Sequence, residues 1–285
     1  MSDYHLRPLD LSPAGLERLS ALFGVVFPHT THHTPAYLDW MYNRNPAGTA
    51  IGSEAEIDGR LVGHYVLIPL RSRVHGVASL GAHSLHGAVH PDHQGRRLYA
   101  RLGELAHEAG ARAGIRFIVG VPNANSTHVF ARTFGFQLVC VLEARLGLGR
   151  VAHDAGGGAV DYERDWDAAT VAWRLANPNV AYELRRRGGR CEVLAPAGRG
   201  IRAMLGDVDD ALVPRPAGVP ARPRPALELW IGADPALRWS RSLYVPIPGR
   251  LRPAPLNFVF KDLSGQGRTL DPRRLRYRLL DFDAY

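Results

Sequence analysis

The stretch Val89-His90-Pro91-Asp92-His93-Gln94-Gly95-Arg96-Arg97-Leu98 passes from an apolar run straight into a helical pattern. A helix start leaves four backbone amides without acceptors and carries the positive end of the helix dipole. A strand that feeds directly into such a turn makes a cradle for a phosphate or similar anion. Gly95 lets the backbone approach closely. Arg96 and Arg97 add charge, Gln94 adds a neutral donor, and the only nearby acid, Asp92, precedes the turn. The same residues also suit an ordinary strand–helix connection with solvated arginines, and this stretch alone leaves both readings open.

The histidines point to the same half of the chain. All thirteen lie at or before His153. Imidazole is the side chain best suited to proton transfer near neutral pH, so acid–base chemistry is expected there. Other phosphate signatures fail. Lys261 is the only lysine, so no G-x-x-x-x-G-K-[ST] exists, and the G-x-G-x-x-A match at 147–152 runs into His-Asp-Ala-Gly-Gly-Gly rather than a helix. Two cysteines, Cys140 and Cys191, are too few for a disulfide framework or a zinc site, and no metal is expected. The net charge of +8 comes from arginines spread over both halves without interleaved aromatics, so nucleic acid is not indicated and an anionic small molecule fits equally well. No run approaches the roughly 18 apolar residues of a membrane span. The N-terminus lacks a signal-peptide pattern, and a cytoplasmic location is expected.

The elements that must position these residues follow from periodicity. Ser12 and Pro13 begin a helix carrying Leu16, Leu19, Leu22 and Phe23 on one stripe. Residues 29–34, HTTHHT, form a polar loop, and a short helix follows that Asn45-Pro46 closes. Residues 50–80 read as three strands, with turns at Asp58-Gly59 and, more weakly, His75-Gly76, and residues 81–91 as a fourth. Residues 97–110 are an amphipathic helix with Leu98, Leu102, Leu105 and Ala109 inward. Residues 115–122 are a buried strand. Ser126 is expected to cap a helix that buries Val129, Phe130, Thr133 and Phe134 and ends at Gly135. A last strand, 136–146, precedes a linker at 153–164. The second half opens with a helix at 165–178, continues with strands near 190–195, 200–205, 226–232, 256–263 and 275–283, and holds a stiff proline-rich loop at 214–225. Residues 37–46 and 170–178 each carry a Trp, a short helical stretch and a closing Asn-Pro, a faint repeat that suggests two copies of one fold.

In their order and spacing, VHPDHQGRRLYARL, FIVGVPNANS and VFARTFGF resemble the GNAT superfamily of acyl-CoA-dependent acyltransferases, over about residues 5–150. The likeness is nearest to bacterial members with a second, degenerate GNAT-like half. The resemblance implies an α+β (mixed α/β) fold: a central, mostly antiparallel twisted sheet with flanking helices, followed by a second smaller GNAT-like domain. The expected division is an acyl-CoA-binding domain over 1–152 and a degenerate domain shaping the acceptor site over 153–285. The resemblance also implies acetyl-CoA as co-substrate. Its pyrophosphate would meet the amides of Gln94, Gly95, Arg96, Arg97 and Leu98, and its pantetheine arm the backbone of Gly87, Ala88 and Val89. A main-chain amide near Val89 would polarise the thioester carbonyl. Asn123 and Asn125 match the position that holds the cofactor arm, and Asn125 joins His86 in the expected catalytic set. The implied reaction is direct attack of a small-molecule amine on the thioester, an amino sugar or nucleotide-linked sugar being one acceptor class. A transferase fed by aminoacyl-tRNA and a non-catalytic CoA-binding scaffold are the alternatives.

Two departures from the family pattern stand out. Arg97 and Tyr99 occupy loop positions that are usually small, and Ala131 stands where a tyrosine acid is common. His86 is the first choice for the base, with His64, His128 and Glu54 behind it. The 29–34 loop and Tyr37 to Tyr42 fall where the acceptor pocket is usually shaped. Asp281, Asp283 and the terminal carboxylate are candidates to reach the site.

Overall fold

The computed structural model describes residues 4–153, 158–198, 200–215, 219–220, 227–252 and 256–282, apart from the side chains of Asn125, Val219 and Pro220. The chain begins β1 (His5–Pro8), α1 (Pro13–Val26), α2 (Pro35–Asn43), β2 (Ile51–Ile57), β3 (Arg60–Val74), β4 (Val77–Val89), α3 (Leu98–Arg112), β5 (Phe117–Gly120) and α4 (Ala124–His128). It continues β6 (Gln137–Val141), β7 (Glu143–Leu148), β8 (Ala152–His153), β9 (Tyr162–Arg164), α5 (Ala168–Leu175), β10 (Glu183–Arg187), β11 (Arg190–Pro196), β12 (Ile201–Asp209) and β13 (Val219–Pro220). The last strands are β14 (Leu227–Ala233), β15 (Leu237–Arg238), β16 (Leu243–Pro246), β17 (Asn257–Asp262) and β18 (Tyr277–Arg278).

Two compact units form, and they are not cut at one place in the chain. The first holds residues 1–70, 80–138 and 258–269; the second holds 71–79, 139–257 and 270–285. The expected boundary at 152/153 therefore needs correction. β7 joins the second unit by pairing antiparallel with β14, Leu146 opposite Leu229. β17 belongs to the first, pairing antiparallel with β5, Val259 opposite Gly120. The physical cause is edge satisfaction. Each unit needs a strand beside its parallel one, and each takes it from a distant segment. The proposed linker is also only partly one. Asp161 is buried, Tyr162 to Arg164 are strand, and residues 154–157 lie outside the described residues.

In the first unit the sheet runs β1-β2-β3-β4-β5-β17-β6. Asp58-Gly59 and His75-Gly76 both turn with positive φ, as two-residue hairpins require. The strands expected between the His75-Gly76 turn and residue 80 and at 81–91 merge into the single β4. Ser12 caps α1 and Thr34 caps α2, each accepting from an amide three residues on. Leu19, Phe23, Tyr37, Leu38 and Tyr42 bury completely between these helices and the sheet, each aliphatic or aromatic side chain contributing about 1.5–3 kcal/mol. On α3 the buried stripe is Leu98, Leu102 and Ala106, while Leu105 is exposed, because the i, i+4 row rather than i+3 faces β2. Ser53 Oγ donates to Leu102 O at 2.7 Å and ties helix to strand. Gly103 is required here, since a Cβ would lie 2.2 Å from the Phe134 ring.

The second unit repeats the same plan. β10, β11 and β12 form an antiparallel meander, and β12 then pairs parallel with β14. This parallels the course of β2, β3 and β4 and the parallel pair β4–β5. The faint sequence repeat is also structural. Asn45 Oδ1 accepts from Ala47 N at 3.0 Å and Asn177 Oδ1 from Asn179 N at 2.9 Å, so both helices stop at the same Asn-Pro turn. The crossover between β12 and β14, however, offers among the described residues a short 3₁₀ turn, Asp210–Leu212, and the two-residue β13 in place of α3. Residues expected as a strand at 275–283 give the two-residue β18 and a 3₁₀ turn, Leu279–Asp281.

Candidate functional site

The candidate anion cradle is built from backbone geometry. Parallel pairing of β4 with β5 stops at Ser84 opposite Gly120, whereas β4 runs on to Val89. Residues 85–89 therefore have no β5 partner. Immediately beyond, Pro91–His93 form a 3₁₀ turn, and Gln94 Nε2 folds back to donate to Val89 O at 3.1 Å. Gly95 has φ 73° and Arg97, the N-cap of α3, has φ 57°. A non-glycine residue in the left-handed region is strained. Arg97 caps with no side-chain hydrogen bond, so the amides of Leu98, Tyr99 and Ala100 are left for an external acceptor. No acid occupies the first turn of α3. Arg96 reaches Tyr4 Oη at 3.2 Å, and that oxygen lies 3.0 Å from His93 Nδ1. Leu98 contributes its amide at the turn and its side chain to the core. Gly87 has a specific steric reason: a Cβ there would lie 2.6 Å from the Tyr99 ring.

His86, half-buried on the length of β4 beyond its pairing with β5, is held at φ 52°. This left-handed residue breaks strand alternation, so the simple rule that His83 and His86 face opposite ways does not apply. Its Nδ1 is 3.1 Å from Tyr42 Oη, which is 3.2 Å from His64 Nε2. The His33 ring stands edge-on to His86 with centroids 4.9 Å apart, and Phe23 lies at 5.8 Å. Burial pushes His86 well below the usual imidazole value, and the neighbouring His33 and His64 push it further. Burial brings His64 down to about 3 and, with His32 beside it, His33 down to about 4. Glu54, 1% exposed, is the register partner of His64 across β2 and β3. Its carboxyl is pushed up to about 7 by burial, which the Arg7 guanidinium 3.1 Å away only partly offsets. His64 Nδ1 is buried without a hydrogen-bond partner.

Of the other expected site residues, Asn123 is the N-cap of α4, not Ser126. Its Oδ1 accepts from Ser126 N and Oγ, both at 3.0 Å. Asparagine outranks serine there because it precedes the first helical residue. Asn125 lies in α4, and its side chain is outside what the structure describes. The helix passes into a π turn at Val129–Thr133 that buries Phe130 and Phe134 but leaves Thr133 exposed, the wider turn rotating it outward. His128 is exposed. Asp281 is buried in the second unit, accepting from Arg278 N at 2.6 Å and Trp166 Nε1 at 3.3 Å. Asp283 and the C-terminal carboxylate lie outside the described residues. A chain the sequence did not suggest starts at the last paired residue of β4. Ser84 Oγ donates to Tyr65 Oη at 2.8 Å, which lies 3.1 Å from His107 Nε2, and His107 Nδ1 is 3.5 Å from Lys261 Nζ. Tyr42 and Tyr65 sit in apolar runs, where nothing local signals that their hydroxyls are used.

Among the described residues no cluster of His, Cys, Asp or Glu has the makings of a metal site, and no helix is long and apolar enough to cross a membrane. Residues 9–139 match the family model of the acetyltransferase (GNAT) domain. No curated protein matches the chain. Among solved structures, the GCN5-related N-acetyltransferase from Anabaena variabilis aligns with TM-score 0.60 at 10% identity, covering 91% of this chain and 73% of that one. Eis1 from Mycobacterium abscessus aligns with TM-score 0.58 at 14% identity, over 92% and 74%. The GCN5-related N-acetyltransferase from Kribbella flavida gives 0.58 at 11% identity, over 92% and 72%. At such identities the likeness is one of fold, and it extends over both units. The β4–turn–α3 cradle, the β4–β5 splay and the family match converge on one statement: this chain carries, over residues 9–139, an acetyltransferase domain of the GNAT family, followed by a degenerate second copy of the fold.

Proposed function

We propose that the protein is an acetyl-CoA-dependent N-acetyltransferase that acylates a primary amine of a small molecule by direct attack, acting in the cytoplasm where acetyl-CoA is made available. One observation carries this reading. The β5-facing edge of residues 85–89, which has no strand partner, leads straight into a helix start with free amides and no acid. An extended arm ending in a pyrophosphate matches that sequence of donors: strand-like pairing with Gly87 to Val89, then amide hydrogen bonds and charge at Gly95 to Ala100. Asn123, with Oδ1 committed to the helix cap, retains Nδ2 for the arm.

The base we assign is His86. A depressed imidazole is neutral at pH 7 and free to accept a proton. Its partners decide which nitrogen does so. With Nδ1–H donating to Tyr42 Oη, and Tyr42 in turn donating to His64 Nε2, His86 Nε2 keeps its lone pair for the amine. That setting places an N–H on His64 Nδ1, which has no partner. The opposite setting satisfies His64 better and silences the base. The relay thus has two settings, and proton uptake at His86 favours the competent one, since a doubly protonated His86 must donate from Nδ1. No tyrosine stands at Ala131, so the thiolate leaves without an acid from that helix.

Calorimetry with acetyl-CoA, followed by thiol release across a panel of small amines with amino sugars first, tests the reading. Saturable binding with turnover on an amine supports it. Binding without turnover on any amine assigns the scaffold role. Absent acetyl-CoA binding together with salt-sensitive tRNA binding assigns the aminoacyl-tRNA alternative.

A further inference from the structure

The second unit contains a cleft of about 1050 Å³, lined by eight arginines and six acids drawn from β8 to β12, β18 and their connections. The near balance is misleading, because the acids are already engaged. Glu163 pairs with Arg276 at 2.5 Å, Glu192 with Arg185, and Asp207 with both Arg190 and Arg278. Asp234 faces Arg276 at 3.4 Å, Asp281 accepts from Arg278 N and Trp166 Nε1, and Asp209 caps the turn that follows it. Among the described residues Arg150, Arg187 and Arg241 are in no ion pair, and all three are exposed on this cleft. The Arg164 guanidinium lies 5.0 Å over the Trp166 ring, which also lines the cleft.

We infer that this cleft is a second ligand site, for a small molecule bearing two or more phosphate groups. Three guanidinia free of ion pairs converge from β10 and two separate connections on a concave space, with Arg164 of β9 beside them, and their potentials add. Planar guanidinium forks match phosphate oxygens in pairs, and a multivalent anion satisfies several at once. The paired acids below hold the surrounding arginines in place, so the free ones face the ligand from a rigid floor. The volume suits a nucleotide-sized molecule, and Trp166 supplies an aromatic surface on one wall. A polymer is disfavoured by the shape, since the charges ring a depression instead of lying along a stripe. This site stands whether or not the acetyltransferase reading holds.

Tripolyphosphate is the probe, titrated calorimetrically into the full chain at low salt. To separate the cleft from the α3 cradle, each titration is repeated with Gly95→Glu. The double variant Arg187→Glu/Arg241→Glu, both positions exposed and free of ion pairs, is expected to weaken one saturable site at least tenfold in both backgrounds, with an unchanged melting temperature. Citrate, of similar charge, is expected to bind at least tenfold more weakly than tripolyphosphate. Citrate binding as tightly overturns the phosphate assignment. Affinity untouched by the double variant, loss of all binding with Gly95→Glu alone, or tighter binding of a duplex oligonucleotide overturns the site.

Discussion

The phenol oxygen of Tyr42 stands 3.1 Å from Nδ1 of His86, coupling a helix residue to the strand residue held at φ 52°. Forty-four residues separate them in the chain. Tyr42→Phe removes the link and leaves His64 Nε2 without its partner. A buried polar group so stranded costs about 1–3 kcal/mol. The variant should stay folded, lose about tenfold to a hundredfold in kcat and keep its KM for acetyl-CoA, because the hydroxyl acts through His86 and touches neither substrate. His86→Ala should lose more and flatten the acidic limb of the pH–rate profile. An unchanged kcat in both variants removes this pair from the mechanism.

Gly95→Glu places a carboxylate where the cradle offers amides. Nothing lies within 4 Å of the added Cβ, so the direct steric cost is small, though φ 73° adds about 1–2 kcal/mol of backbone strain. Gly114 is the matched control, at φ 88° with equally open surroundings and no place in the site. Both glutamate variants should melt a few degrees lower. Only Gly95→Glu should weaken acetyl-CoA binding, by about a hundredfold or more in calorimetry. Equal affinities for the two would show that strain, not the cradle, was measured.

Stability should be greatest near neutral pH and fall in acid. His64 and His107 are brought down to about 3 and His33 to about 4 by burial. The unfolded chain therefore takes up protons first. The stability these groups contribute is present above pH 6.5 and is lost as pH falls through the folded values. Glu54, pushed up to about 7, runs the other way. Its contribution is present below the ordinary 4.5 and is lost as pH rises through about 7. Melting curves from pH 4.5 to 8 should show the histidines prevailing. Glu54→Gln should raise the melting temperature at pH 8 and leave it unchanged at pH 4.5. A gain at pH 4.5 that matches the one at pH 8 contradicts the assignment.

Gly103→Ala tests how α3 is set. The new methyl would lie 2.2 Å from the Phe134 ring, so helix or ring must shift. Overpacking of this kind costs about 1–3 kcal/mol. Because α3 carries the cradle at its N-terminus, less than two turns from Gly103, acetyl-CoA affinity should fall along with the melting temperature. Chemical denaturation and calorimetry on the same preparation give both numbers. Gly110→Ala meets only the flexible end of Leu67 at 2.9 Å, and should cost less on both counts.

Much of this protein was legible from short-range chemistry. The Gln94-Gly95-Arg96-Arg97 turn, the cap at Ser12, the Asp58-Gly59 hairpin and the paired Asn-Pro stops each depend on a few neighbouring residues. Such conformations follow from local sterics and hydrogen bonding. Errors of the same range had equally local causes. Ser126 lost the cap to Asn123, which stands one place ahead of the helix, and Leu105 lost its burial to the i, i+4 row.

What only the tertiary structure decided is pairing across long separations. That β17 completes the first sheet and β7 the second has no local signature, because any apolar strand can serve an open edge. The same holds for the meeting of Tyr42, His64 and His86, and for the chain from Ser84 to Lys261. Their side chains are ordinary core tyrosines and histidines until packing excludes water and turns each hydroxyl and ring nitrogen toward a partner. The sequence by itself determined the strand–turn–helix stretch from Val89 to Leu98; the folded chain decided which imidazoles meet Tyr42 and what tunes them, since both depend on burial that no single segment creates.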